Sequence, residues 1–217
     1  MKAILKYFRN NFLAYIVIAL FIATIVLMVL PAATVTITKL EYSMVLVGNS
    51  GTSEVFNVTL NGTQTFNYSV FDILAGANTK VLVNGALNSD YTIVTWFIPF
   101  NVWLGLGILL LGAAVVLEAF DNRVIRIVGA GVGLVGGILA SIFLFNQQVD
   151  KDLEVPVVPY PRDTTIEYTK TYTAGVYVVL VMVILVTVAV IALCVYDNIK
   201  RYRFEKSEYA RYLRGGI

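Results

Sequence analysis

The chain has 217 residues, 58% of them hydrophobic and only 14% charged, with a net charge of +2; soluble domains carry about 25% charged residues, so this sequence needs lipid as part of its solvent. The small net charge, with bases gathered at the two ends, excludes a broad basic face, and no nucleic acid is expected as a partner. Histidine is absent and the single cysteine, Cys194, lies in an apolar run, which removes the commonest metal and haem ligand, the usual neutral-pH base and any intrachain disulfide; no metal or cofactor is expected.

In chain order, residues 1–11 carry Lys2, Lys6 and Arg9 without an acid. Phe12 to Leu30 follows as an apolar run, matching the roughly 20 residues that a lipid-spanning helix needs. The run is long for a signal peptide and Leu30-Pro31-Ala32-Ala33 is a poor cleavage site, so a retained anchor is expected.

Residues 31–92 alternate apolar and polar side chains, are rich in Val, Thr, Phe and Tyr, and are broken by Gly48-Asn49-Ser50-Gly51, Asn61-Gly62, Gly76-Ala77-Asn78 and Asn84-Gly85. This pattern predicts an antiparallel meander. A three-residue loop at Asn61 to Thr63 pairs Val58 with Phe66 and Phe56 with Tyr68 on one face, whereas a two-residue loop mixes the faces. Three N-x-[ST] sequons, at Asn57, Asn61 and Asn67, are candidate glycosylation sites in this segment.

Three further apolar runs follow, Ile93 to Leu117, Ile127 to Phe145 and Ala174 to Tyr196, and none of the four contains Asp, Glu, Lys or Arg. Near the start of the second, Pro99 and Asn101 stand between Trp96 and Trp103. The candidate functional reading is a broken helix whose freed carbonyls line a path; the plainer one is a break at headgroup depth, marked by interfacial tryptophans. No ionisable residue lies deep in any run, which counts against pumps and proton relays.

The third run contains Gly131-Val132-Gly133-Leu134-Val135-Gly136, a match to the dinucleotide pattern G-x-G-x-x-G. No strand precedes it, so packing explains it better. Gly129, Gly133, Gly137 and Ser141 recur every four residues and form a ridge for close helix approach, whether by a span of this chain or by another subunit. Phe120-Asp121-Asn122-Arg123 and Tyr196-Asp197-Asn198-Ile199-Lys200 end the second and fourth runs alike. That similarity hints at a duplicated hairpin, although an aromatic anchor with caps and bases at a helix end produces the same pattern.

Between the third and fourth runs, residues 146–173 begin extended, with Pro156, Pro159 and Pro161, then alternate from Thr165 to Tyr172. One more strand is expected there, added to the edge of the first sheet. The tail, 197–217, carries Lys200, Arg201, Arg203 and Lys206, candidates for inner-leaflet contact, with Ile199, Tyr202, Tyr209 and Leu213 along one side if it is helical.

Basic ends and acidic connecting segments put both termini in the cytoplasm under the positive-inside bias. The expected fold is therefore a four-helix transmembrane bundle with a small extracellular antiparallel sheet, in a cell membrane: a cytoplasmic start (1–11), spans at 12–30, 93–117, 127–145 and 174–196, and a cytoplasmic loop at 118–126. In topology this resembles the claudin-type four-span plan. The Trp-Gly-Leu-Trp motif and cysteine pair of that family are missing from residues 32–92, and no residue role is carried over from it.

No nucleophile and base pair, carboxylate dyad or phosphate loop is found, so no catalytic residue is expected. The expected function is that of a non-enzymatic structural or interaction protein, an accessory subunit or adhesion-type component whose partners are membrane lipids and other membrane subunits or copies of itself. The alternatives are a transport or channel component using the outer end of the second span, and a viral envelope membrane protein.

Overall fold

The computed structural model describes residues 2–47, 53–60, 62–84, 90–98, 100–120, 122–145 and 162–215. The chain divides into two compact units, one of Leu27–Val102 with Leu144–Val179 and one of Met1–Val26, Trp103–Phe143 and Leu180–Ile217.

The first unit is built on a six-stranded antiparallel sheet of β1 (Pro31–Val47), β2 (Ser53–Leu60), β3 (Gln64–Ser69), β4 (Ala77–Asn84), β5 (Asp90–Ile98) and β6 (Arg162–Tyr172). β1 is its template. One edge of β1 carries β2, from Val47↔Ser53 to Glu41↔Thr59, and then β3, from Ile37↔Gln64 to Pro31↔Ser69. The other edge carries β6, from Ala33↔Tyr172 to Ser43↔Arg162, so the strand of the second connecting segment joins the first sheet. β4 extends the sheet from β2 through Thr59↔Asn84 and Leu60↔Val83, and β5 pairs with β4.

The pairing corrects the expected hairpin at Asn61 to Thr63. Val58 and Phe66 face Tyr42 and Val35 of β1, not each other. β2 and β3 form one interrupted arm along a 17-residue strand, a longer ladder than two short strands make with each other. Two irregularities meet at the interruption. The β1–β2 register starts at Glu41↔Thr59 and the β1–β3 register ends at Ile37↔Gln64, Gly62 between them takes φ +68, and the β1–β6 register shifts between Ile37 and Lys39. Such a bulge moves the strand's phase by one residue. Ala33, Val35 and Ile37 are buried on one side of it and Leu40 on the other, so the shift keeps apolar residues inward. The opposite face is polar: Thr34 Oγ1 donates to Asn67 Oδ1 at 2.8 Å, and the Thr36 and Thr65 hydroxyls lie 3.2 Å apart.

A short helix, α2 (Val70–Ala75), interrupts the meander. Ser69 Oγ accepts from Asp72 N at 3.2 Å while Asp72 Oδ2 accepts from Ser69 N at 2.7 Å, a capping box. Val70 and Ile73 of this turn are fully buried.

The second unit is helical, from α1 (Lys2–Leu27), α3 (Val102–Glu118), α4 (Arg123–Phe145) and α5 (Ala174–Gly215). Two helical stretches, Arg123–Phe145 and Ala174–Tyr209, are long and apolar enough to cross a membrane, while Phe12–Leu27 and Val102–Glu118 are shorter apolar helices. The expected second span at 93–117 is corrected in extent. Residues 93–98 belong to β5, because their alternation and β-branched content suit a strand paired to β4, and α3 begins only at Val102.

Buried positions in this unit include small and β-branched residues such as Ala14, Val17, Ala114, Ala140, Val183 and Val190, together with Leu104 and Leu111. Outward faces are equally apolar: Ile22 and Val26 on α1, Leu109 and Val116 on α3, Ile127, Leu134 and Ile142 on α4, Val181 and Val188 on α5.

Candidate functional site

The chemically unusual place in the helical unit is where α3 ends and α4 begins. α3 stops at Glu118, and Ala119 N and Phe120 N donate to the carbonyls of Val116 and Leu117 in a tightened last turn. Asn122 then caps α4, its Oδ1 accepting from Val124 N at 2.9 Å. One turn in, Arg126 is buried. Its guanidinium forms an ion pair with Asp197 of α5, and its Nε donates to the Phe120 carbonyl at 2.8 Å.

Glu118 is fully buried beside this pair, and neither of its carboxylate oxygens has a hydrogen-bond partner among the described residues. Its Oε1 lies against Gly129, 3.3 Å from where a Cβ would be. On α5, Asn198 Nδ2 donates to the Cys194 carbonyl at 2.9 Å, while its buried Oδ1 accepts no bond from the described residues. A lone carboxylate with unfilled acceptors is costly to bury. Sequence reasoning missed this cluster because Glu118, Arg126 and Asp197 sit just outside the uncharged runs. Their spacing relative to helix ends was the available signal, since a base one turn into α4 and an acid at the end of the fourth run face each other when the helices pack.

The glycine ridge faces inward. A Cβ on Gly133 would meet Ala114 Cβ and Val190 Cγ1, each at 3.1 Å, and one on Gly129 would meet Leu117 Cβ at 3.1 Å. Gly137 lies against Thr187, and Ser141 Oγ donates to the Gly137 carbonyl at 2.7 Å. Helices α3 and α5 of this chain fill the ridge, so it offers no free surface to another subunit. Two glycines outside the four-residue spacing meet backbone of a neighbouring helix: a Cβ on Gly107 would lie 2.5 Å from Ala140 N, and one on Gly136 2.7 Å from Leu111 N. The G-x-G-x-x-G match lies wholly inside α4, where no strand leads into it.

The expected break in the second span is not inside a helix. Pro99 lies outside the described residues, and Asn101 stands just before α3 with its N–H donated to the Leu74 carbonyl at 3.1 Å. Proline disfavours helix in the residue before it, so Ile98 ends a strand. The two similar run ends also part company. Asn122 caps the start of α4, whereas Asn198 is internal to α5.

Of the sequons, Asn67 is exposed on β3 and bonded to Thr34. Asn57 lies on β2, where its residue pairs with Ser43 of β1, and its side chain, like Asn61, lies outside the described residues. In the sheet unit, Tyr172 donates from its hydroxyl to the Phe145 carbonyl at 2.5 Å, its ring stands edge-on to Phe145 at 5.3 Å, and Lys170 Nζ lies 4.9 Å over its face. Burial lowers the Lys170 pKa, and burial followed by the neighbouring Tyr177 raises that of Tyr172.

The tail residues Lys200, Arg201, Arg203 and Lys206 all stand on α5, which runs unbroken to Gly215. At 100° per residue they spread around the helix and define no single face. Among the described residues no group of three His, Cys, Asp or Glu side chains is arranged to hold a metal ion. Comparison with protein-family models, curated proteins and solved structures finds no match to this chain.

Proposed function

We propose that this chain is a four-span integral membrane protein with both ends in the cytoplasm, and that it serves as a non-enzymatic structural or interaction component, an accessory subunit or adhesion-type part of a larger membrane assembly. The observation that carries the reading is the apolar outer face on all four long helices, from Ile22 through Leu109 and Ile138 to Leu185. In water such a surface aggregates; in lipid it is the ordinary solvent-facing side. α3 has 17 residues, which at about 1.5 Å each fall a few ångströms short of a roughly 30 Å core. Exposed Phe100 and Trp103 at its start are suited to the headgroup level, where local thinning makes up the difference.

The sheet is the working surface in this reading. β1 is paired on both edges, so partners meet the outer strands β3, β5 and β6. Exposed Glu167 and half-buried Lys170 on β6 disfavour indiscriminate strand addition. In a glycosylating host Asn67 is placed to carry a glycan.

Two measurements test the proposal. Single cysteines at Thr65 and at Ser207, in a Cys194→Ala background, should react with a membrane-impermeant maleimide from outside and from inside only, respectively; labelling of both from one side overturns the topology. Purification in mild detergent should recover a defined partner or an oligomer, and an inert monomer overturns the interaction role. A transport reading draws on one observation, the unpartnered Glu118, because buried ionisable residues in spans mark ion pathways. It predicts solute or proton flux in proteoliposomes that Glu118→Gln alters.

A further inference from the structure

Helix α5 has 42 residues and no Pro or Gly between Val176 and Arg214, so nothing in it supplies the usual causes of a kink. In heptad terms, with Leu185 set at position a, the buried residues Val183, Val186, Thr187, Val190, Leu193 and Cys194 all fall at b, c and f. The opposite side is an a/d seam: Val181, Leu185, Val188, Ala192, Val195 and Ile199, then Tyr202, Lys206, Tyr209 and Leu213. Every described side chain on it is exposed, Tyr202 at 64% and Tyr209 at 69%. A shallow apolar groove follows it from Val188 to Ile199.

Lipid accounts for the first part of this seam and not for the second. Beyond Tyr196 the b, c and f positions turn polar, as Lys200, Arg201, Ser207, Glu208 and Arg211, while Phe204 alone stays apolar. The a/d positions keep large aromatic or aliphatic side chains at Tyr202, Tyr209 and Leu213, with Lys206 the one charged exception. A stripe that keeps its 3.5-residue period while the rest of the helix becomes a water-soluble surface is the pattern of a coiled-coil seam. A helix continuous with a span also cannot lie flat on a leaflet, which removes the lipid surface as a cover for Tyr202 and Tyr209.

We infer that α5 pairs in parallel with α5 of a second copy of this chain along this a/d seam, from Val181 through the tail. This rests on the membrane reading above, since two copies inserted the same way present identical seams side by side, as a two-fold dimer requires. Charge selects the register. Lys206 is the only charged a or d residue of the seam, and in a parallel pair the partner's residue at the preceding g position, a glutamate, lies beside it. A single lysine at an a position fixes register and oligomer state at some cost in stability.

The test is a cysteine scan in the full chain carrying Cys194→Ala, reconstituted in liposomes and oxidised with copper phenanthroline. Val195→Cys, Tyr202→Cys and Tyr209→Cys should each give at least about tenfold more disulfide-linked dimer than Arg201→Cys, Phe204→Cys and Glu208→Cys, with a 3.5-residue period. Equal cross-linking at all six sites, or strongest linkage at Phe204, overturns the pairing. Tyr202→Asp should convert dimer to monomer by light scattering in mild detergent, and a dimer indifferent to it also overturns the inference. Flotation of each variant with the liposomes is scored separately: chains that fail to float overturn the membrane reading, whereas chains that float without seam linkage overturn only the dimer.

Discussion

Buried Arg126 of α4 and half-buried Asp197 of α5 form an ion pair, and the same guanidinium reaches the Phe120 carbonyl at 2.8 Å. Three chain segments are thereby tied at one end of the helical unit. Removing one member leaves the other's charge buried, which costs about 3–5 kcal/mol. Arg126→Ala and Asp197→Ala should each lower thermal stability in detergent by that order. The double variant should recover part of the loss, as a double-mutant cycle would measure.

Glu118 presents the reverse case. Both oxygens are buried without a hydrogen bond among the described residues. Glu118→Gln keeps the shape and removes the ionisable group, and the variant should be more stable than the parent by about 1 kcal/mol. A loss of stability on calorimetry would show that the carboxylate holds a bond it lacks in this structure.

At the α3–α4 crossing, Gly136 has backbone on its open side, with a Cβ falling 2.7 Å from Leu111 N, whereas Gly131 has nothing within 4 Å. Gly136→Ala should cost about 1–3 kcal/mol through overpacking. Gly131→Ala should instead gain up to about 1 kcal/mol from helix propensity. Paired unfolding midpoints of the two variants check the contrast.

Gly62 holds φ +68 with open space around it, so Gly62→Ala tests backbone strain alone. A cost of about 1–2 kcal/mol is expected. Hydrogen exchange should quicken at the β2–β3 junction more than in the β1–β6 ladder.

Lys170 supplies a pH test. Burial lowers its pKa in the folded chain. Between that lowered value and the ordinary lysine value the unfolded chain holds a proton the folded chain has released, so stability rises with pH across this window. Tyr172, raised by burial and by Tyr177, acts oppositely from the ordinary tyrosine pKa upward. Lys170→Met should remove the rising component and leave the falling one, read as unfolding midpoint against pH.

Composition and local pattern determined much of this protein. The apolar runs, the strand-rich segment, the added strand at Thr165 to Tyr172 and the small-residue ridge from Gly129 to Ser141 are periodicities, and periodicity is written residue by residue. The Ser69-x-x-Asp72 capping box went unread, because its turn lies inside a strand-rich stretch. Only the tertiary structure decided which segments meet. Asn61-Gly62 has the chemistry of a hairpin turn, yet pairing both of its arms with the 17-residue β1 makes a longer ladder, and that comparison is non-local. Likewise Asp197 lies far in sequence from Glu118 and Arg126, and each reads alone as a helix-end charge. Packing of α3, α4 and α5 places them together away from solvent, where a charge is no longer an ornament of the interface but a constraint on the fold.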